Sequence, residues 1–147
     1  MRSIGESAFQ ECITLRNMTL PEGLTEIGSN AFEDCRNLSA ITIPSTVKKI
    51  GGSAFYNCSK LTEIELPGQI TEVNESTFCG CTNLNRVLIP DYVFSVGYNA
   101  FLDCNNLQSV YYMGTEEEWG DINIQSGNSS LVSAEKTYEW NGKIPEP

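Results

Sequence analysis

Ile27-Gly28-Ser29-Asn30-Ala31-Phe32-Glu33-Asp34-Cys35-Arg36-Asn37-Leu38-Ser39-Ala40-Ile41-Thr42-Ile43-Pro44 decides the fold, because the chain keeps repeating it. Its opening pentad, Ile27 to Ala31, has equivalents at Ile4-Gly5-Glu6-Ser7-Ala8, Ile50-Gly51-Gly52-Ser53-Ala54, Val73-Asn74-Glu75-Ser76-Thr77 and Val96-Gly97-Tyr98-Asn99-Ala100. Successive copies are 23 residues apart with no insertion. A closed core gives no reason to hold such a register. A pile of identical coils does, since each side chain then rests on its own equivalent one coil away.

Three columns should point inward: Phe9, Phe32, Phe55, Phe78 and Phe101; Cys12, Cys35, Cys58, Cys81 and Cys104; and Leu15, Leu38, Leu61, Leu84 and Leu107. After each Leu the apolar residues alternate, as in Ala40-Ile41-Thr42-Ile43, which reads as a half-buried strand. Pro21, Pro44, Pro67 and Pro90 stop the strand, because proline has no N–H for the ladder. Leu24, Val47, Ile70 and Val93 form another inward column on the return path. The column Gly5, Gly28, Gly51 and Gly97, with Asn74 in the fourth copy, suggests a turn at positive φ. Ser7, Asn30, Ser53, Ser76 and Asn99 are good N-caps for a short helical turn over residues 9–12 and equivalents, with Glu33 placed for a capping box on Asn30.

The expected fold class is an α/β to mainly-β solenoid, with a parallel sheet on one face and short helical turns opposite. Residues 1–113 supply five repeats. The pattern breaks where Met113 replaces proline and Gly114-Thr115-Glu116-Glu117-Glu118-Trp119 follows, so residues 114–147 read as a cap over the last coil. Trp119 is expected to lie over the fifth coil and residues 134–140 to add a sixth strand. The tail from Gly142 to Pro147 reads as frayed.

The 147 residues suit one domain. With 19 acidic and 9 basic side chains the net charge is −10, which disfavours nucleic acid and anionic membrane surfaces. No apolar run approaches a membrane span, and no leader precedes the first repeat, so the chain reads as a piece of something longer. The absence of histidine removes Ser-His and Cys-His nucleophile pairs, and no glycine-rich phosphate loop is present. Glu63 and Glu65 share a strand face, but an open face gives their carboxyls no special environment. No enzyme, cofactor or metal is therefore expected. Stacked cysteines one strand spacing apart, about 4.8 Å, are too far separated for disulfides and read as buried free thiols. Cys79 shares the column of Gln10, Glu33, Tyr56 and Leu102 and should face solvent. Cys79-Gly80-Cys81 points its two sulfurs apart, which argues against a metal pair.

The unit I-G-x-x-A-F-x-x-C-x-x-L-x-x-I-x-I-P, carried over residues 4–113, resembles the BspA-type leucine-rich repeat. The resemblance implies a right-handed superhelix from a secreted or cell-surface bacterial protein. Some such proteins bind host extracellular matrix or other bacteria. The family's defining columns are buried, so the resemblance assigns no ligand residues.

Candidate contact residues come from the outward positions. The strand rows are Asn17, Ala40, Glu63, Arg86, Ser109 and Thr19, Thr42, Glu65, Leu88, Tyr111. Leu88 and Tyr111 turn the second row apolar, and Tyr92, Phe94 and Tyr98 add aromatics nearby. Two readings stand: these aromatics contact a ligand, or they are the landing surface for the cap. The partner would be protein (host matrix or another bacterial surface protein) or glycan, bound on the concave sheet face and its edges. The alternative is a passive spacer that self-associates through the uncapped first coil. Of the N-x-S/T sequons at Asn17, Asn37, Asn57, Asn74 and Asn128, three fall in repeat turns where Asn serves the backbone, and no glycosylation is read from the set.

Overall fold

A computed structural model describes residues 2–146. Each turn of the chain adds one strand to a broad face and one two-residue strand to a flank. The first three turns give β1 (Ser3–Ile4), β2 (Asn17–Thr19), β3 (Glu26–Ile27), β4 (Ala40–Thr42) and β5 (Lys49–Ile50). The next give β6 (Glu63–Glu65), β7 (Glu72–Val73), β8 (Arg86–Ile89), β9 (Ser95–Val96) and β10 (Ser109–Tyr112). The cap follows as α1 (Glu116–Gly120), β11 (Asn123–Ile124), α2 (Ser129–Ser133) and β12 (Glu135–Thr137). All pairings are parallel, and within the repeats partners lie in the expected register: Met18 with Ile41, Ile64 with Val87, Val87 with Val110. The chain is thus a parallel-strand solenoid with little helix.

The inward columns form the core. The Phe rings stack at centroid separations of 5.2, 5.3, 5.5 and 5.3 Å from Phe9 to Phe101. The cysteine thiols do more than fill space. Cys35, Cys58, Cys81 and Cys104 donate to the carbonyls of Phe9, Phe32, Phe55 and Phe78 in the preceding coil, at 3.0, 3.1, 3.2 and 3.1 Å. A small side chain with a weak donor suits that slot.

Opposite the sheet, among the described residues, the repeats form no helix; tight turns take its place. Ser7, Phe9 and Glu11 donate their N–H groups to Ser29, Ala31 and Glu33 of the next coil at 2.9, 2.7 and 2.8 Å. The alternate residues Ala8, Gln10 and Cys12 donate back to Gly5, Ser7 and Phe9 at 3.2, 3.1 and 3.1 Å. This alternation needs two left-handed residues per coil. Ser7 and Glu11 take φ of 58° and 60°, and the later copies follow, ending with Asn99 and Asp103 at 58° and 63°. The expected N-caps are therefore the left-handed residues, and Asn30 meets Glu33 amide to carboxylate rather than in a capping box.

The glycine column also has another cause. None of Gly5, Gly28, Gly51 and Gly97 has positive φ. A Cβ on Gly28, Gly51 or Gly97 would lie 2.7, 2.4 or 2.7 Å from backbone nitrogen of the preceding coil. The glycines allow close approach, so that Gly28, Gly51 and Gly97 can donate to Ile4, Ile27 and Val73 at 2.8, 2.8 and 2.7 Å. Asn74 tests the rule naturally. Its side-chain amide reaches the Ile50 carbonyl at 2.6 Å instead, and the flank ladder is interrupted there, between β5 and β7.

The segment after Met113 packs on the fifth coil with polar and apolar means together. Tyr112 is buried and meets Trp119 edge-on at 5.2 Å and Tyr138 at 6.4 Å. Thr115 and Glu118 cap α1 reciprocally, at 3.1 and 2.9 Å. The Lys136 ammonium donates to the carbonyls of Leu131, Val132 and Ala134 at the end of α2, at 2.8, 2.5 and 2.6 Å. The buried Asn128 side chain accepts from Phe101 N–H and donates to the Gly97 and Gln125 carbonyls, each at 2.9 Å. It supplies the acceptor that a further coil's backbone would have offered. β12 pairs with β10, placing Thr137 beside Tyr111. The expected frayed tail is instead seated on the broad face at Ile144 and Pro145: Ile144 is buried, its N–H is bonded to Glu65, and the Pro145 carbonyl accepts from Arg86.

Candidate functional site

Two surfaces carry the residues singled out from the sequence. On the broad face the pleat sends Glu63, Arg86 and Ser109 outward in one row and Glu65, Leu88 and Tyr111 in the next. Arg86 bonds Glu63 at 2.5 Å and, through its other terminal nitrogen, the carbonyl of Pro145 at 2.5 Å. Glu65 accepts the N–H of Ile144 at 2.7 Å, and the Trp140 ring lies 5.0 Å from Tyr111. Leu88 is only 7% exposed and lies in its row between Glu65 and Tyr111, both of which the tail contacts. Five of the sequence-derived candidates, Glu63, Glu65, Arg86, Leu88 and Tyr111, therefore form one strip under or beside the C-terminal tail.

Tyr92, Phe94 and Tyr98 behave differently. They remain 67%, 57% and 53% exposed with the cap in place. The segment after the fifth coil packs on its end through Leu131 and Ala134, and β11 pairs with β9 right beside Phe94, yet these three rings stay uncovered. Tyr92 and Phe94 stand on either side of the inward Val93, so the alternation that buries Val93 forces both out. Phe94 is fixed by its backbone, donating to Thr71 at 2.9 Å and accepting from Asn123 at 3.0 Å. Tyr92 and Phe94 border a shallow hollow of about 200 Å³ shared with Tyr112, Asp91, Glu118 and Asp121. The Tyr112 hydroxyl titrates above its ordinary range, first through burial and then through the charges of Glu118, Asp91 and Asp121. Aromatic walls with three carboxylates at hand suit a basic side chain.

Cys79 is buried rather than exposed, at 7%. It is shorter than its column neighbours Tyr56 and Leu102, and the Tyr56 hydroxyl reaches its thiol. Burial, then the nearby Asp103 charge, raises the pKa of the Cys79 thiol, so it is neutral at ordinary pH. Among the described residues no helix is long and apolar enough to cross a membrane. Sequence reasoning missed Trp140, Ile144 and Pro145 as partners of the sheet face. The apolar residue followed by proline, placed after a tryptophan, was the available signal.

A family model described as BspA type leucine rich repeat region, in 6 copies, matches residues 1–126. Among solved structures the chain is similar to a leucine rich repeat protein of T. pallidum, at 32% identity and a TM-score of 0.73, over 76% of this chain and 52% of that one. It is similar in fold to a leucine-rich repeat protein from Bacteroides ovatus, at 20% identity and TM-score 0.60, over 94% of this chain and 45% of that one. The pneumococcal vaccine antigen PcpA shares the fold at 20% identity and TM-score 0.64, over 97% of this chain and 42% of that one. The chain thus spans about half the length of these structures, or less. No curated protein sequence gives a match.

Proposed function

Because the chain belongs to the BspA-type leucine-rich repeat family, we propose that it is a protein-binding module of a bacterial surface or secreted protein, whose partner docks on the aromatic flank at the edge of the sheet. The observation that carries this reading is the exposure of Tyr92, Phe94 and Tyr98 after the cap has found its seat. Exposed apolar patches often mark contact sites, and tyrosine is favoured at contact centres. The carboxylates of Asp91, Glu118 and Asp121 beside them favour a partner with basic side chains. The shallow form of the same surface supports binding as its use. The surface or secreted location rests on the family.

The test is the triple variant Tyr92→Ser, Phe94→Ser, Tyr98→Ser, compared with the parent against a panel of immobilised extracellular-matrix polypeptides. Saturable capture by the parent that weakens at least tenfold in the variant, with the melting temperature held within a few degrees, supports the reading. A variant that melts far lower, or one that binds as the parent does, sinks it.

One observation favours a second reading, a spacer that joins further coils. Phe9, Cys12 and Leu15 are only partly buried, whereas their equivalents one coil on, Phe32, Cys35 and Leu38, are fully buried. Such a spacer self-associates through the first coil, which light scattering over a concentration series would reveal.

A further inference from the structure

The C-terminal segment as far as Pro145 lies across the chain's own sheet, and the way it is held has the form of ligand recognition. The tail leaves the β10 edge with Glu139 N–H on the Gly114 carbonyl at 2.8 Å and Trp140 N–H on the Tyr112 carbonyl at 2.9 Å. The Trp140 ring settles on Tyr111 with planes tilted by 53°. Gly142, at φ +99°, turns the backbone, and the indole N–H holds that turn by donating to the Lys143 carbonyl at 2.9 Å. Beyond the turn Ile144 drops to 9% exposure, its N–H on Glu65 at 2.7 Å, and the Pro145 carbonyl accepts from Arg86 at 2.5 Å.

Two features separate this contact from ordinary core packing. The charged side chains of the groove bind backbone groups of the tail, an N–H and the next carbonyl, which any extended peptide presents. The second guanidinium nitrogen of Arg86 is anchored on Glu63, so the clamp is oriented by the sheet itself. The interior is also complete without the tail. Leu88 and Ile144 are buried but lie outside the core cluster, which is closed at its end by Tyr112, Leu131 and Ala134. Lifting the tail therefore uncovers a formed groove and leaves the core intact.

The geometry points to a peptide-binding groove over β6, β8 and β10, occupied in cis by the tail, whose partner in trans is an extended segment of another protein. That segment carries an aromatic residue for Tyr111 and, four positions on, an aliphatic residue followed by proline for the strip around Leu88. This rests on the protein-binding reading but uses a different surface from the aromatic flank, so the two fail separately. A tether of this kind presents its tail at an effective concentration of order millimolar, so the intact chain binds a competing peptide only weakly.

The experiment uses the full chain carrying Trp140→Gly and Ile144→Gly, which releases the tail, and a fluorescein-labelled peptide spanning residues 138–146 as probe. Fluorescence polarisation should show saturable binding at least tenfold tighter to the released-tail variant than to the parent. Adding Arg86→Ala to that variant, or replacing either the Trp or the Ile of the peptide by Ala, should weaken it at least tenfold. No saturable binding to a released-tail variant that melts near the parent overturns the proposal. Should that variant fail to fold, hydrogen exchange on the parent decides. The Ile144 amide should be protected and should lose protection when excess peptide is added; an amide that exchanges freely in the parent alone overturns the groove. Concentration-dependent dimers of the parent that exchange tails would assign the groove to a second copy and overturn its assignment to another protein.

Discussion

Gly51→Ala and Gly5→Ala are the same substitution at equivalent positions of the repeat, and the structure makes them differ sharply. A Cβ on Gly51 would sit 2.4 Å from the backbone nitrogen of Ser29 and 2.7 Å from its Cα. These are backbone atoms of a coil held by its own ladder, so the coils must separate. The separation strains packing at a cost of roughly 1–3 kcal/mol. It also weakens the bond from Gly51 N–H to the Ile27 carbonyl, now 2.8 Å, costing about 1 kcal/mol more. Against this, alanine restricts the unfolded chain and returns roughly 0.4–1 kcal/mol. The net loss is about 1–3 kcal/mol, a melting temperature lower by roughly 3–10 °C for a chain of this size. A Cβ on Gly5 meets nothing within 4 Å, so Gly5→Ala should be neutral or slightly stabilising. Thermal unfolding followed by circular dichroism reads both. Equal losses at the two positions would refute the reasoning, because they would mean that the column needs glycine for its own backbone conformation rather than for the approach of a neighbour.

Asn128→Ala should lower stability by roughly 1–3 kcal/mol, since it leaves the Phe101 N–H and two carbonyls without their partner inside the cap; urea unfolding checks it, and a loss below a few tenths would contradict the role given to that side chain. The buried thiols set an alkaline limit. Burial pushes Cys104 up to about 12 and raises Cys58 and Cys81 well above the ordinary value near 9. Below about pH 9 both states hold their thiol protons and the full stability is present; above it the unfolded chain ionises first. Stability should then fall by up to ~1.4 kcal/mol per pH unit for each of these thiols until the folded-state pKa is passed. Urea titrations between about pH 8 and pH 11 read the slope, and Cys58→Ala should make it shallower; a flat profile would show that the thiols are not buried as described.

The period, the inward Phe, Cys and Leu columns and the broad-face strands were legible because they alternate or repeat strictly, and burial enforces both patterns. The flank strands β1, β3, β5, β7, β9 and β11 were not, since two residues are too short to alternate. The turn side was misread for a different reason. Ser and Asn serve equally as helix caps and as left-handed turn residues, and only the bonds to the next coil, such as Ser7 to Ser29, decide between them. Glycine is ambiguous in the same way, serving conformation at one site and close approach at another. For the candidate site, the two outward rows could be drawn up from the pleat alone. What covers them could not, because the contacts of Trp140, Ile144 and Pro145 reach back to Tyr111, Glu65 and Arg86, too far along the chain for local pattern to show. The exposure of Tyr92, Phe94 and Tyr98 depended likewise on where the cap came to rest.

The solenoid exists only if successive windows of sequence lie directly over one another. Nuclear magnetic resonance on protein with labelled phenylalanine rings tests that most directly. Ring-proton cross-peaks should link Phe55 to Phe32 and to Phe78, whose centroids lie 5.3 and 5.5 Å away, and should not link it to Phe9 or Phe101. A Phe55 ring with no aromatic neighbour, or with one two coils removed, would contradict the stack and the surfaces built on it.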